Sequence, residues 1–148
     1  MKRILPPILF VIFIVLMWLM HWGLDLSHNL TNPYNLFGLP LIFAGILLSM
    51  TGSRLFRKLD TNIMTFGEPN ILVTEGVFKY SRNPMYLGFV IALLGIVLLM
   101  GAAIPLLLLV LLFFVISDRW YITFEERMMI EKFGPEYKAY CRRVRRWI

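Results

Sequence analysis

From Met85 to Ser117 the chain carries no charged residue. A membrane-spanning helix needs about 20 apolar residues, with a lower limit near 17. The stretch is too long for one span and just long enough for two short ones. Gly101 and Pro105 stand at its middle, where helix-breaking residues favour a tight turn. Two antiparallel spans are expected, over roughly 84–100 and 102–118. Two earlier apolar runs, Ile4 to Met20 and Leu36 to Met50, predict spans over roughly 4–22 and 36–52. With 59% hydrophobic residues and no linker, residues 1–148 read as a single all-α integral membrane domain of about four transmembrane helices. The remaining residues, 119–148, predict cytoplasmic C-terminal helices.

All fifteen Lys and Arg residues fall on one side of this map. Lys2 and Arg3 precede the first span. Arg54, Arg57, Lys58, Lys79 and Arg82 lie between the second and third, and the rest follow the fourth. The segment from His21 to Tyr34 and the Gly101 turn contain none. The positive-inside rule therefore places both termini and the central loop in the cytoplasm, which for a bacterial host means the inner membrane. Topology and attraction to anionic lipid account for most of this charge, so nucleic acid is not needed as a partner. Met1-Lys2-Arg3 before an apolar run resembles a signal peptide. The run is long and no small-residue cleavage site follows, so it reads as a retained anchor. The single Cys141 excludes an intramolecular disulfide.

His21, Asp25 and His28 recur at i, i+4 and i+7, a spacing that can suit a metal if a helix continues through them. A polar outer loop is the simpler reading, and no metal site is assigned. From Thr51 to Arg82 the chain is polar, and Thr61, Asn62, Gly67, Pro69 and Asn70 argue against one continuous helix. Long loops in compact domains are usually functional. Pro84 opens the third span, where its missing N–H is no loss. Beyond the fourth span, Asp118 to Phe133 has helical composition, Gly134-Pro135 is a stop signal, and Glu136 to about Val144 predicts a second short helix.

Three residues stand out chemically. Glu125 and Glu126 have no intrahelical cation at i±3 or i±4, and carboxylates among apolar residues near a membrane suggest function, against the plainer alternative that they face water. Arg82, one turn before the third span, can fork onto a ligand carboxylate or onto Glu125 or Glu126, or it can serve only as a topology-setting cation. Gly88 permits close approach of a ligand or of another helix.

The run Leu72-Val73-Thr74, then Gly76-Val77-Phe78-Lys79-Tyr80-Ser81-Arg82-Asn83-Pro84-Met85-Tyr86-Leu87-Gly88, resembles the signature of the isoprenylcysteine carboxyl methyltransferase and phospholipid N-methyltransferase superfamily. Glu125-Glu126, Phe133-Gly134, Glu136-Tyr137, Tyr140, Val144 and Arg146-Trp147-Ile148 follow in the order that family shows. The resemblance covers roughly residues 60–148 by motif order. It implies methyl transfer from S-adenosylmethionine to a lipophilic or membrane-associated acceptor, a carboxylate, thiol or amine, at the cytoplasmic face. Carried over by position, Tyr80, Arg82, Asn83, Pro84, Tyr86, Gly88, Glu125 and Glu126 would bind the cofactor, with Arg82, Glu125 and Glu126 closest to catalysis. In these roles Arg82 holds the cofactor carboxylate or orients the acceptor. Glu126 accepts from the cofactor, and Glu125 does the same or balances Arg82. Two positions depart from the family: Asn83 stands where many relatives have His, and Arg145 where relatives often have Pro. The alternatives are a membrane reductase using a nicotinamide cofactor, whose C-terminal architecture is similar, and a non-catalytic membrane scaffold.

Overall fold

The computed structural model describes residues 4–26, 29–59 and 70–148. Lys2, Arg3, His28, and Thr61, Asn62, Gly67 and Pro69 of the central loop lie outside the described residues. Within them every regular element is helical. The first is α1, Pro6–Gly23, and a 3-10 turn at Tyr34–Phe37 leads into α2, Gly38–Lys58. A second 3-10 turn, Gly76–Lys79, precedes α3, Pro84–Leu99. Next come α4, Ile104–Ile116, a π-helical turn at Ser117–Ile122, and α5, Thr123–Arg143.

Proline starts three of these helices, at Pro6, Pro84 and Pro105, where a fixed φ helps and no N–H is required. The turn between α3 and α4 falls at Gly101 (φ 89°) and Ala102 (φ 55°), both in the left-handed region that glycine enters most readily. Asn29 Nδ2 donates to Ala102 O at 3.2 Å, and Leu30 N donates to Gly101 O at 3.0 Å. The connection between α1 and α2 is thereby tied to this turn.

Among the described residues, three stretches are long and apolar enough to cross a membrane: Pro6–Gly23, Tyr34–Lys58 and Ile104–Arg143. At 16 residues α3 is shorter, rising about 24 Å at 1.5 Å per residue. The chain is an all-α integral membrane protein. Its apolar core joins α1, α3 and α4 through Phe13, Met17, Leu93, Val97, Leu106 and Phe113. The rings of Phe13 and Phe113 meet edge to face at 5.4 Å, a favoured aromatic geometry.

α2 joins this bundle by a different device. Gly38, Gly45 and Gly52 recur every seventh residue and lie buried on one side of it. Gly38 meets Gly95 and Gly45 meets Gly88 and Ala92 of α3, while Gly52 faces the side chains of Met85 and Pro84. A Cβ at Gly45 would stand 2.5 Å from Ala92 N, and one at Gly88 would stand 2.8 Å from Ser49 N. Side chains larger than hydrogen would force the two backbones apart. Small residues at such contacts let membrane helices approach closely.

Three sequence expectations change in detail. The polar segment beginning at Thr51 opens with two more turns of α2, which runs to Lys58. The Thr51 hydroxyl donates to Leu47 O at 2.7 Å, so the polar side chain is satisfied within the helix. Gly134 (φ 46°, ψ −117°) leaves helical geometry and divides α5 in two at the expected stop, and the second helix resumes slightly earlier than expected, from Pro135, and runs to Arg143. α1 ends at Gly23, and Asp25 takes φ 44°, so His21 and Asp25 do not share a helical face.

Candidate active site

Ser81, Arg82 and Asn83 form the approach to α3. Asn83 N donates to Ser81 Oγ at 3.1 Å, and both side chains are buried. This local turn precedes Pro84 and aims Arg82 toward α5. A C-terminal strap, residues 144–148, lies alongside: Arg82 N donates to Arg145 O at 3.1 Å, and Asn83 Nδ2 donates to Arg146 O at 3.0 Å. Val144 takes extended geometry (φ −124°, ψ 130°), which turns the strap out of the α5 axis.

The Arg82 guanidinium meets Glu126 with Nη2 3.0 Å from Oε1. Its Nη1 contacts Cys141 Sγ. The two charged side chains are only 13% and 15% exposed, so the pair is held largely out of water. Removing one partner of such a pair leaves the other desolvated and uncompensated, a larger effect than at a surface ion pair. Arg82 Nε is buried and has no hydrogen-bond partner among the described residues.

Glu126 has a second cation. Arg146 Nε donates to Glu126 Oε1 at 3.2 Å, and Arg146 Nη2 reaches Glu126 Oε2. This is the two-pronged geometry that a planar guanidinium forms with a carboxylate. Arg146 Nη1 donates to Asp118 Oδ1 at 3.2 Å, and Trp147 Nε1 donates to the same oxygen at 2.9 Å. The hydrogen bonds that Arg146 donates to Glu126 raise its pKa above its already high value. The Trp147 ring packs on Phe114 with centroids 4.6 Å apart, anchoring the end of the strap to α4.

Beside this network Tyr86 Oη donates to Glu125 Oε1 at 2.7 Å, and the Tyr86 side chain is buried. Tyr121 packs near it and donates to Ile4 O at 2.8 Å, which ties the start of α1 to the same end of the bundle. On α5, beyond the apolar span, burial pushes the Tyr140 hydroxyl up to about 12. It stays protonated at neutral pH and donates to Phe78 O at 2.6 Å.

Arg82, Asn83, Tyr86, Glu125 and Glu126 are thus brought to one place. The ambiguity left by the sequence, whether Arg82 faces Glu125 or Glu126, resolves to Glu126, and Glu125 pairs with Tyr86. Pro84 is buried at the start of α3, and Gly88 is buried against α2 in the helix contact described above. Tyr80 is 80% exposed and stands apart from the network. Sequence reasoning assigned no role to Asp118, Arg146 or Trp147. Asp118 carried a signal, being the first charge after the charge-free stretch.

The network holds three carboxylates (Asp118, Glu125, Glu126) and, with Arg119 3.6 Å from Asp118, three guanidiniums (Arg82, Arg119, Arg146), so its formal charges balance. It can therefore offer acceptors to a cationic ligand and guanidinium donors to an anionic group.

A family model described as phospholipid methyltransferase matches residues 34–136, a segment that includes Arg82, Tyr86, Glu125 and Glu126. Over 76 residues, 51% of this chain and 31% of the relative, the sequence is 38% identical to protein-S-isoprenylcysteine O-methyltransferase of Schizosaccharomyces pombe. Over 113 residues, 73% of this chain and 55% of the relative, it is 33% identical to protein-S-isoprenylcysteine O-methyltransferase B of Arabidopsis thaliana. A Haemophilus influenzae protein, named only as uncharacterized, is 36% identical over 64 residues, its full length and 43% of this chain. The chain spans about a third to a half of the length of the two named methyltransferases. No solved structure matches it.

Proposed function

The chain belongs to the phospholipid methyltransferase family, and from that premise we propose that it transfers a methyl group from S-adenosylmethionine to a lipophilic or membrane-associated acceptor at the cytoplasmic face. The observation that carries this reading is the meeting of Arg82, at the start of α3, with Glu126 on α5. Two segments that the family signature keeps far apart in sequence supply one charged site. We further propose that residues 1–148 act as one domain, with both termini cytoplasmic.

The donor set fits the cofactor. The unpartnered Arg82 Nε is an unused donor at the site, and a guanidinium matches a carboxylate such as that of the cofactor's amino-acid moiety. Glu125 and Glu126 suit its amino and hydroxyl groups. When bound, S-adenosylmethionine supplies a methyl group open to in-line attack.

What remains for the chain is alignment and exclusion of water, which together account for most of the acceleration in such transfers. Arg82 holds the cofactor carboxylate or orients the acceptor. Glu126, fixed from both sides by Arg82 and Arg146, is a rigid acceptor. Tyr86 locks Glu125 by its hydroxyl. Asn83 has an amide where a base would stand, and that amide is committed to the strap through Arg146 O. An acceptor carboxylate or thiolate needs no base, so these two are favoured over an amine. A carboxylate acceptor also agrees with the printed names of the isoprenylcysteine O-methyltransferases.

The test is calorimetric titration of S-adenosylmethionine into purified protein in mild detergent, beside Arg82→Ala and Glu126→Ala, with helicity and thermal melting checked for each. Saturable binding by the wild type, weakened at least about tenfold in both variants, is expected from the loss of a charge-assisted contact. A well-folded wild type that does not bind would overturn the reading. A nicotinamide titration would then follow.

A further inference from the structure

A groove of about 460 Å3 runs along the rod formed by α4, the π-helical turn and α5, on a face next to the charged network. Val115, Ile116, Trp120 and Phe124 line it, together with Arg119 and Arg127. The π-helical turn at Ser117–Ile122 interrupts the α-helix between its apolar and basic ends. Such insertions recur at functional sites.

The two ends of the groove differ in chemistry. Toward α4 it continues into outward-facing Leu108, Leu111, Leu112 and Val115, all of them exposed. These side chains face hydrocarbon in a membrane. Toward α5 it ends at guanidiniums. Arg119 is 83% exposed, and its contact with Asp118 is long at 3.6 Å. Asp118 is already engaged by Arg146 and Trp147, so it neutralises Arg119 weakly. Arg127 is exposed to solvent. Trp120 is 71% exposed between the two arginines, and Trp is enriched at the membrane–water interface.

We propose that this groove seats one anionic phospholipid, with its phosphate between Arg119 and Arg127 and an acyl chain along Val115, Leu112 and Leu108. The apolar row fits a chain and the paired cations fit a phosphodiester. A soluble phosphate would leave the apolar half unused. The site does not depend on the methyl-transfer reading, and its test does not measure methyl transfer.

Full-length protein is reconstituted in nanodiscs of equal phosphatidylglycerol and phosphatidylcholine. Native mass spectrometry then counts the lipids that stay bound on release. The wild type should retain phosphatidylglycerol in preference. R119Q/R127Q should lower that preference about thirtyfold, the scale of two cations acting on an anionic lipid. R119K/R127K should keep most of it, which separates loss of charge from loss of fold. R142Q/R143Q, on exposed arginines of α5 away from the groove, should leave it unchanged. Equal retention of both lipids by the wild type would overturn the proposal. So would an equal drop in R142Q/R143Q, which would mean general surface charge, or loss of the preference in excess inorganic phosphate, which would mean a free-anion site.

Discussion

Two of the contacts that hold α3 are built on opposite principles. Along its length it meets α2 through Gly88, Ala92 and Gly95, with no charge or side-chain hydrogen bond in the argument, only close approach of backbones. At its N-terminal end it meets α5 and the strap through Arg82, Asn83 and Tyr86, where nearly every contact is polar. The first contact works by shape. It tolerates no added atom, because the obstacle on the far side is backbone and cannot rotate away. The second works by charge, and its side chains can reorganise. A protein built this way can keep its transmembrane frame rigid while its polar end accepts a ligand. Shape should therefore govern stability, and charge should govern binding.

That division can be broken experimentally. The largest effect is expected from Gly45→Val. Its Cβ would fall 2.5 Å from Ala92 N, and overpacking of this kind costs about 1–3 kcal/mol. Thermal unfolding in detergent should show a clear drop in Tm, and an unchanged Tm would mean that the interface is looser than its geometry. A smaller and different effect is expected from Arg146→Gln. Glu126 would lose its second cation, and Asp118 would lose one of its two donors. Affinity for S-adenosylmethionine should fall about tenfold with little change in Tm, and Arg146→Lys should restore part of it because the charge remains while the fork is lost. If Arg146→Gln instead unfolds the protein as Gly45→Val does, the proposed division fails. The smallest effect belongs to Tyr80→Ala. At 80% exposure its loss should change neither Tm nor affinity by more than about 0.5 kcal/mol. A large loss of affinity there would extend the site to the edge of the central loop.

The two contacts were unequally legible in the sequence. The membrane helices follow from a long stretch without charge, because burying charge in hydrocarbon is prohibitive and its absence is conspicuous. The turn at Gly101 follows from chemistry confined to two or three residues. The sevenfold spacing of Gly38, Gly45 and Gly52 was also present, but a stripe of small residues does not say which helix it will meet. At the polar end, Arg82 and Glu126 were identifiable by their setting and by family resemblance. Arg146 was marked only by the family resemblance and given no role, since it follows Arg142, Arg143 and Arg145 and helical spacing cannot distinguish them. The chain leaves the helix at Val144, so periodicity says nothing about the residues after it. Asp118 lies in the π-helical turn, where an ordinary 3.6-residue wheel assigns faces wrongly.

The strap also has a consequence in time. Arg82 and Asn83 leave the ribosome long before Arg145, Arg146 and Trp147, which supply the final contacts to the same site. The membrane spans can be inserted and paired while that site is still open. That site closes only once residues 144–148 have been made and can fold back, so the polar end of the molecule is completed after its spans are paired.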